Sequence, residues 1–234
     1  MQQSAEYCDD LVKSADEDRW LAARYATEEA RAVLIALAAL RCEIGRIPAL
    51  VSEPALGEIR LRWWRDALEE IAAAGPVRAH PVVEMLSAAL TDASEIWPLL
   101  DAAINEFSPA LYGEPFVSAD ALYGWLEKTS GAFDAASVIA LGGSADDGAL
   151  AKKAGAIFIM ARESKNLDPL IRDASITLAR EKYQALRAGL RGFHEASLPV
   201  ILPAAFTLDY LRQKEDFPVL KRARLFAAFA FSRF

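Results

Sequence analysis

Apolar residues recur at intervals of three and four along most of the chain, the spacing that brings side chains to one face of an α-helix. The clearest example includes Leu37, Leu40 and Ile44, which fall on one broad face. The stretch Ala32–Leu40 is an apolar run, so we expect this helix to be buried on most sides. No segment alternates apolar and polar residues with the period of two typical of a strand. The pattern predicts an all-α protein.

Capping residues and prolines indicate where the helices begin and end. Thr27 is a good N-cap for the apolar helix, and Pro48 is expected to end it. Ser144 and Asp147 form a capping-box pattern, and Pro203 is expected to kink its helix. No repeat or flexible linker divides residues 1–234, so we predict one domain. The expected helices are Ser4–Lys13, Arg19–Tyr25, Thr27–Pro48, Pro54–Gly75, His80–Thr91, Ser94–Phe107, Ser118–Leu141, one from Ser144 through Met160, Leu170–Phe193, Pro199–Leu211 and a last one from about Pro218.

The composition indicates an ordered hydrophobic core and argues against nucleic acid as a partner. Hydrophobic residues make up 53% and charged residues 25% of the 234 positions, so the chain can bury a sizeable core. The net charge is −7, and an acidic chain gains nothing from counterion release on DNA or RNA. A nucleic-acid partner is therefore not expected. Acidic residues interrupt the N-terminal segment, and no apolar run reaches transmembrane length, so we expect a cytoplasmic protein.

The residue types that hold metals or act as nucleophiles are sparse. His80 and His194 have no ligand-spaced neighbours, so each is expected to be a surface or capping residue. Cys8 and Cys42 lie in helical patterns and are interpreted as buried thiols rather than a disulfide.

The C-terminal end is basic and aromatic, unlike the rest of the chain. Its cations are Lys214, Lys221, Arg222, Arg224 and Arg233, and they are interspersed with Leu225, Phe226, Phe229, Phe231 and Phe234. One interpretation is a last helix that packs its aromatic side into the core. The alternative is a peripheral contact with an anionic membrane surface or a partner.

Three stretches of the chain carry a likeness to a known family. They are Asp18-Arg19-Trp20-Leu21-Ala22 with Ala36–Ile44, Val51–Leu68 containing Arg62-Trp63-Trp64-Arg65-Asp66, and Leu122–Ala132 ending in Leu141-Gly142-Gly143. In their order and spacing, and with a weaker likeness near Leu198–Gln213, these stretches resemble the squalene/phytoene synthase family, above all its branch that includes a respiratory complex I assembly factor. The resemblance implies an all-α isoprenoid-synthase bundle around a central apolar cavity.

Active members of that family join two prenyl diphosphates with Mg²⁺ held by two aspartate-rich motifs on facing helices. Carboxylates three or four residues apart share a helix face and supply the oxygen ligands that Mg²⁺ prefers. Here Gly45 and Arg46 occupy the approximate places of the first aspartate pair. Glu43 remains, and Arg46 lies three residues later, which predicts an intrahelical ion pair.

The second motif also departs from the family pattern. Near Met160 the chain reads Ala-Arg-Glu-Ser-Lys-Asn-Leu-Asp-Pro, and Glu163 and Asp168 are five residues apart, so they would not share a helix face. The region after about Arg162 is expected to be altered or shortened relative to the family. No metal site is therefore predicted.

Three functional hypotheses follow from these observations. The first is a non-catalytic member that binds a prenyl lipid or assists assembly of a membrane-bound respiratory complex, located in the cytoplasm or peripherally at the inner membrane. The second is a divergent Mg²⁺-dependent prenyltransferase. The third is an interaction domain without a ligand. For the first hypothesis, the expected cavity or partner-surface residues are Leu40, Trp63, Trp64 and Phe158. For the second, the candidate diphosphate-site residues are Glu43, Glu58, Glu127, Arg162 and Glu163.

Overall fold

The computed structural model describes residues 2–212, 218–231 and 234, and within these ranges the regular structure is helical with no strand. The helices form one all-α bundle, as the apolar periodicity predicted. The α-helices in chain order are α1 (Gln2–Ala15), α2 (Glu17–Ala23), α3 (Glu28–Leu50), α4 (Pro54–Ala72), α5 (Pro81–Ala89), α6 (Trp97–Asn105), α7 (Ala119–Leu126), α8 (Ala132–Ala140), α9 (Ala145–Glu163), α10 (Pro169–Leu190), α11 (Leu198–Ile201), α12 (Thr207–Leu211) and α13 (Pro218–Phe231).

Helix α3 is the long buried helix that the apolar run predicted. Thr27 caps it, because its Oγ1 accepts a hydrogen bond from the backbone N–H of Ala30 at 3.3 Å. The expected end at Pro48 is wrong, since α3 continues to Leu50. A proline removes only one helical hydrogen bond, and Ile47 is only 2% exposed, so local packing keeps the last turn helical.

A π-helical turn, Glu127–Gly131, joins α7 to α8 where the sequence predicted one continuous helix. Gly131 explains part of this arrangement. A Cβ atom built on Gly131 would lie 2.2 Å from the backbone oxygen of Lys152 in α9. The segment therefore approaches α9 more closely than any residue with a side chain would allow.

Helix α9 crosses the centre of the bundle. Ser144 caps it by accepting a hydrogen bond from the backbone N–H of Asp147 at 3.1 Å, in line with the predicted capping pattern. All residues from Ala154 to Ala161 are buried. Because α9 is covered on several sides, its side chains reach the interior of the molecule.

The C-terminal part is less regular than the sequence suggested. The predicted kink at Pro203 is a 3₁₀ segment, Leu202–Phe206, that separates α11 from α12. Helix α13 begins at Pro218, where a last helix was expected. Lys214 and Arg233, two cations of the basic end, lie outside the described residues.

Two further sequence expectations can be compared with the structure. Both cysteines are free, but Cys8 is buried and Cys42 is only partly buried. His80 is a capping residue, as expected, because its Nδ1 accepts a hydrogen bond from the backbone N–H of Val82. Over the ranges that the structure describes, no helix is long and apolar enough to cross a membrane.

Candidate functional site

A cavity of about 320 Å³ lies between α3, α7 and α9. Most of its wall is apolar or aromatic, and three polar side chains border it. This volume falls near the lower end of the range for small-molecule sites, roughly 300–1,000 Å³. The lining consists of Arg41, Gly45, Phe107, Phe116, Leu122, Trp125, Leu126, Ser130, Ile159, Met160, Glu163 and Leu167.

Helices α3 and α9 both contribute to this lining. On α3 these residues are Arg41 and Gly45, one helical turn apart, and on α9 they are Ile159, Met160 and Glu163. That Gly45 and Arg46 stand at the family's aspartate positions stays a prediction. In the structure Arg41 and Gly45 border the cavity, because a spacing of four keeps both on one helix face, whereas Arg46 lies outside this lining.

Arg41 belongs to a buried network of charged side chains that the sequence did not reveal. Asp16, between α1 and α2, has a fully buried side chain and accepts hydrogen bonds from Arg19, Arg41 and Arg162. The Arg19 and Arg162 nitrogens lie 3.0 and 2.6 Å from the Asp16 oxygens. Arg19 also donates to both oxygens of Asp134, at 3.1 and 2.7 Å. The network ties α2, α3, α8 and α9 together.

The pKa shifts reflect the competition between burial and ion pairing. Burial alone would raise the pKa of Asp16, but the attraction of Arg41, Arg162 and Arg19 outweighs burial and lowers it. Asp134 is balanced differently: burial dominates over Arg19, and its pKa is raised. Burial and the repulsion of Arg19 lower the pKa of Arg41. An arginine nevertheless remains charged at neutral pH.

Two of the five candidate diphosphate-site residues are brought together by the fold. Arg162 and Glu163 are adjacent in α9, and the Arg162 Nε lies 3.1 Å from the Glu163 Oε1. Glu163 borders the cavity, whereas Asp168 caps α10 by accepting from the backbone N–H of Leu170 at 2.8 Å. Glu163 and Asp168 therefore do not converge on one site, which agrees with the prediction from their spacing of five residues.

The other three candidate acids lie outside the lining of the cavity. Glu43 forms the predicted ion pair with Arg46, at 2.5 Å, and also accepts a hydrogen bond from the Tyr7 hydroxyl at 2.9 Å. Glu58 accepts a hydrogen bond from Ser108. Glu127 accepts one from Tyr123 at 3.0 Å. Each acid is held by a neighbour of its own, so the structure does not bring the five residues together into one site.

The four residues expected at a cavity or a partner surface lie in two different places. Leu40 and Phe158 are core residues with at most 1% exposure, outside the cavity lining. Phe158 packs between two cations, with its ring 5.2 Å from the guanidinium carbons of Arg19 and Arg162. Trp63 and Trp64 border a separate outer groove of about 280 Å³. That groove is lined by Glu43, Arg46, Ile47, Leu50, Arg60, Trp63, Trp64 and His80.

The C-terminal helix combines both interpretations of the basic-aromatic end. Leu225 and Ala228 are buried against the bundle. Lys221 lies 2.7 Å from Asp18, and an ion pair also joins Arg224 to Asp209. Two of the cations therefore contribute to the attachment of α13 to its own fold. An exposed apolar set remains on this helix, consisting of Val219, Leu220, Phe226 and Phe231.

The donor set of the cavity does not fit Mg²⁺, the ion that the resemblance implies. Mg²⁺ requires several oxygen ligands, and Glu163 is the one carboxylate in the lining. Asp16 and Asp134 are already bound by arginines. Throughout the part of the chain that the structure describes, no three histidine, cysteine, aspartate or glutamate residues are grouped to hold a metal ion.

Comparisons with known proteins identify a family for the sequence and a related fold for the structure. A family model described as squalene/phytoene synthase matches residues 12–162. The human protein NADH dehydrogenase (ubiquinone) complex I, assembly factor 6 is 27% identical over 82 residues. Those residues make up 35% of this chain and 25% of the human protein, so the match spans about a quarter of that relative.

One solved structure that is similar to this chain is a crystal structure of a dehydrosqualene synthase in complex with ligand. The TM-score is 0.72, and the match covers 98% of this chain and 96% of that chain. The two sequences are 13% identical, so this likeness shows the fold alone. It confirms the predicted all-α isoprenoid-synthase bundle.

Proposed function

The chain belongs to the squalene/phytoene synthase family, and from that premise we propose that it is a non-catalytic member that binds a lipid or isoprenoid chain and assists assembly of a membrane-bound respiratory complex. Its family and fold are those of prenyltransferase-type synthases. The chain keeps an apolar cavity within that fold, but the lining of the cavity contains a single carboxylate, Glu163.

One observation carries the non-catalytic part of the proposal. The cavity positions on α3 and α9 are occupied by Arg41, Gly45, Ile159, Met160 and Glu163, so a single carboxylate stands where metal binding needs several. A cation at Arg41 repels Mg²⁺ instead of binding it. Without the metal, the departure of diphosphate from an allylic substrate loses its main electrostatic assistance.

The lipid-binding part rests on the cavity that remains. Phe107, Phe116 and Trp125 give it aromatic walls, and Leu122 and Met160 add apolar surface. Removal of an apolar chain from water into such a space is favourable by roughly 25 cal/mol per Å² of buried area. A volume of about 320 Å³ suits one chain better than the two that a synthase joins.

The assembly part rests on the likeness to human complex I assembly factor 6 over 82 residues. We propose a cytoplasmic protein that contacts a membrane or a membrane-associated partner peripherally. The exposed apolar residues of α13 include Phe226 and Phe231, and Phe226 lies one helical turn from the exposed cation Arg222, which supports such a contact.

A turnover assay tests the non-catalytic part against the Mg²⁺-dependent prenyltransferase alternative. The protein is incubated with farnesyl or geranylgeranyl diphosphate and Mg²⁺, and diphosphate release and prenyl products are measured beside a dehydrosqualene synthase. We expect no release above the protein-free background. Release that Glu163→Gln abolishes, and that Asp10→Asn on the exposed side of α1 leaves unchanged, would establish the enzymatic alternative.

Two further measurements test binding and assembly. Native mass spectrometry of the protein mixed with farnesol is expected to show one bound molecule. Cells that lack the protein are expected to lose NADH–ubiquinone oxidoreductase activity from their membranes and to regain it with the wild-type chain. Unchanged oxidoreductase activity in those cells would contradict the assembly role.

A further inference from the structure

Arg41 has hydrogen-bonding capacity that the described residues do not use. A guanidinium carries five N–H donors, and here Nη2 donates to Asp16. The Nε atom is buried and has no partner among the residues that the structure describes. An unsatisfied buried donor costs about 1–3 kcal/mol, and more when the group is charged. Nε itself has almost no accessible surface, so a ligand in the cavity would accept from another N–H group of this guanidinium, whose side chain keeps 11% exposure and borders the cavity.

The charges around Arg41 indicate the sign of such a ligand. Three arginines, Arg19, Arg41 and Arg162, meet two aspartates, Asp16 and Asp134, within the network. A further carboxylate, Glu163, pairs with Arg162, and no ion pair of the described residues joins it to Arg41. These six charges balance in total, but Arg41 shares the single carboxylate of Asp16 with two other arginines. An anion in the cavity beside Arg41 would therefore be attracted to it.

The same lining limits how much negative charge the ligand carries. Glu163 borders the cavity together with Arg41. The carboxylate of Glu163 would repel a multiply charged group such as a diphosphate, and the single positive charge of Arg41 would balance only part of the charge of that group. A carboxylate carries a single charge, and its two oxygens match the fork of guanidinium donors. Ser130, in the π-helical turn, adds a hydroxyl donor to the same lining.

We propose, building on the lipid-binding role above, that the cavity takes an amphiphile with one apolar chain and a carboxylate head, and that Arg41 binds this head directly without a metal ion. The aromatic and aliphatic walls hold the chain. Gly45 lies at the exposed mouth of the cavity, and a Cβ atom built there meets no atom within 4 Å. The absence of a side chain at Gly45 leaves the mouth open.

The experiment compares three ligands that share one isoprenoid chain: farnesoic acid, farnesol and farnesyl diphosphate. Binding is measured by calorimetry and by the fluorescence of the protein's tryptophans, with EDTA present to remove divalent cations. We expect the carboxylate to bind at least about tenfold more tightly than the alcohol, since one charge-assisted hydrogen bond corresponds to about that ratio. Addition of Mg²⁺ is expected not to make the diphosphate the preferred ligand.

Two variants separate recognition of the head from occupation of the cavity. Arg41→Gln is expected to weaken farnesoate binding to the level of farnesol and to leave farnesol binding unchanged. Gly45→Leu fills the mouth of the cavity and keeps Arg41, so it is expected to weaken the binding of all three ligands. Gly124→Leu is the matched control, because Gly124 lies in α7 outside the lining and a Cβ atom there also meets no atom within 4 Å. Circular dichroism and thermal melting confirm that each variant is folded.

Several results would overturn the proposal. One such result is equal affinity for farnesol and farnesoate, and another is a folded Arg41→Gln variant that binds farnesoate as tightly as the wild type does. Either result would show that Arg41 does not recognise a carboxylate head, and the lipid-binding role would stand. If Gly45→Leu and Gly124→Leu bind alike, the ligand does not occupy this cavity. If no ligand binds the wild type in EDTA, both this inference and the lipid-binding role fail.

Discussion

Arg162, in the last turn of α9, donates from Nη1 to Oδ1 of Asp16 at 2.6 Å, although 146 residues separate them in the chain. Asp16 has no exposed side-chain surface and meets Arg19 and Arg41 as well. One buried carboxylate thus forms ion pairs with three cations from α2, α3 and α9.

Asp16→Asn is therefore expected to destabilise the protein strongly. Removal of one partner from a buried ion pair leaves an uncompensated charge, which typically costs about 3–5 kcal/mol. Urea unfolding followed by circular dichroism measures the change in the free energy of unfolding. Asp10→Asn is the control, since Asp10 lies on the exposed side of α1 and is expected to change stability by less than about 0.5 kcal/mol. Equal effects of the two substitutions would show that the network is not a stabilising element.

Two glycine substitutions are expected to act in opposite directions. Gly45→Ala should raise the free energy of unfolding by about 0.5–1 kcal/mol, because alanine is the better helix former and its Cβ meets open space. Gly131→Ala should lower it by about 1–3 kcal/mol, because its Cβ would meet the Lys152 backbone oxygen at 2.2 Å. Thermal melts of the two variants check both signs, and a stabilised Gly131→Ala would contradict the close approach to α9.

We expect the protein to lose stability as the pH falls, because the pKa of His80 is lowered in the folded state. Burial, the largest cause, lowers the pKa of His80, and the nearby charges of Glu43, Arg46 and Glu84 modify this shift. The unfolded chain, with a histidine pKa of about 6.5, then binds more protons than the folded chain. Stability is therefore lost as the pH drops below about 6.5. Protonation of Nδ1 would also remove the acceptor for the Val82 backbone N–H.

The His80→Asn variant checks this prediction. Asparagine also caps helices but does not titrate, so it keeps an acceptor for the first turn of α5. Denaturant midpoints are compared between about pH 7.5 and pH 5.5, a window set by the histidine pKa of about 6.5. We expect a smaller difference between the two midpoints in the variant than in the wild type. An identical pH dependence in both proteins would assign the effect to other groups.

The two cysteines are expected to react with thiol reagents at different rates. Burial, together with repulsion by Glu43, raises the pKa of Cys8 to about 12, and its side chain is inaccessible. Burial also raises the pKa of Cys42, but that residue is partly exposed. Because the thiolate is the reactive species, Cys42 should react slowly in the native protein and Cys8 only after unfolding. Mass spectrometry after timed alkylation measures both rates, and faster labelling of Cys8 would contradict the described packing.

The pattern of the sequence predicted much of the fold because helical signals are local. The caps at Thr27 and Ser144 and the start of α13 at Pro218 depend on residues within one turn of each other. The π-helical turn after Leu126 was missed, because it depends on a contact between Gly131 and Lys152 of another helix. Such a contact leaves no periodic signal in the sequence.

For the candidate site, the sequence indicated which residue types were present but not which of them meet. It correctly paired Glu43 with Arg46, since three residues along a helix bring side chains together. It overlooked Asp16 and Arg41, although Arg19 stood within a stretch that carried the family resemblance. The only available signal was an acid and a cation three residues apart at the start of α2, which is common on exposed helices.

The sequence by itself determined an all-α chain and the approximate helix boundaries, and it predicted that the family's metal-binding motifs are altered in this chain. Only the tertiary structure decided that Arg41 instead of Arg46 borders the cavity, and that Asp16 joins Arg19, Arg41 and Arg162. The physical reason is that helical periodicity specifies which residues share a face, whereas packing rotates each helix and selects the partner of that face.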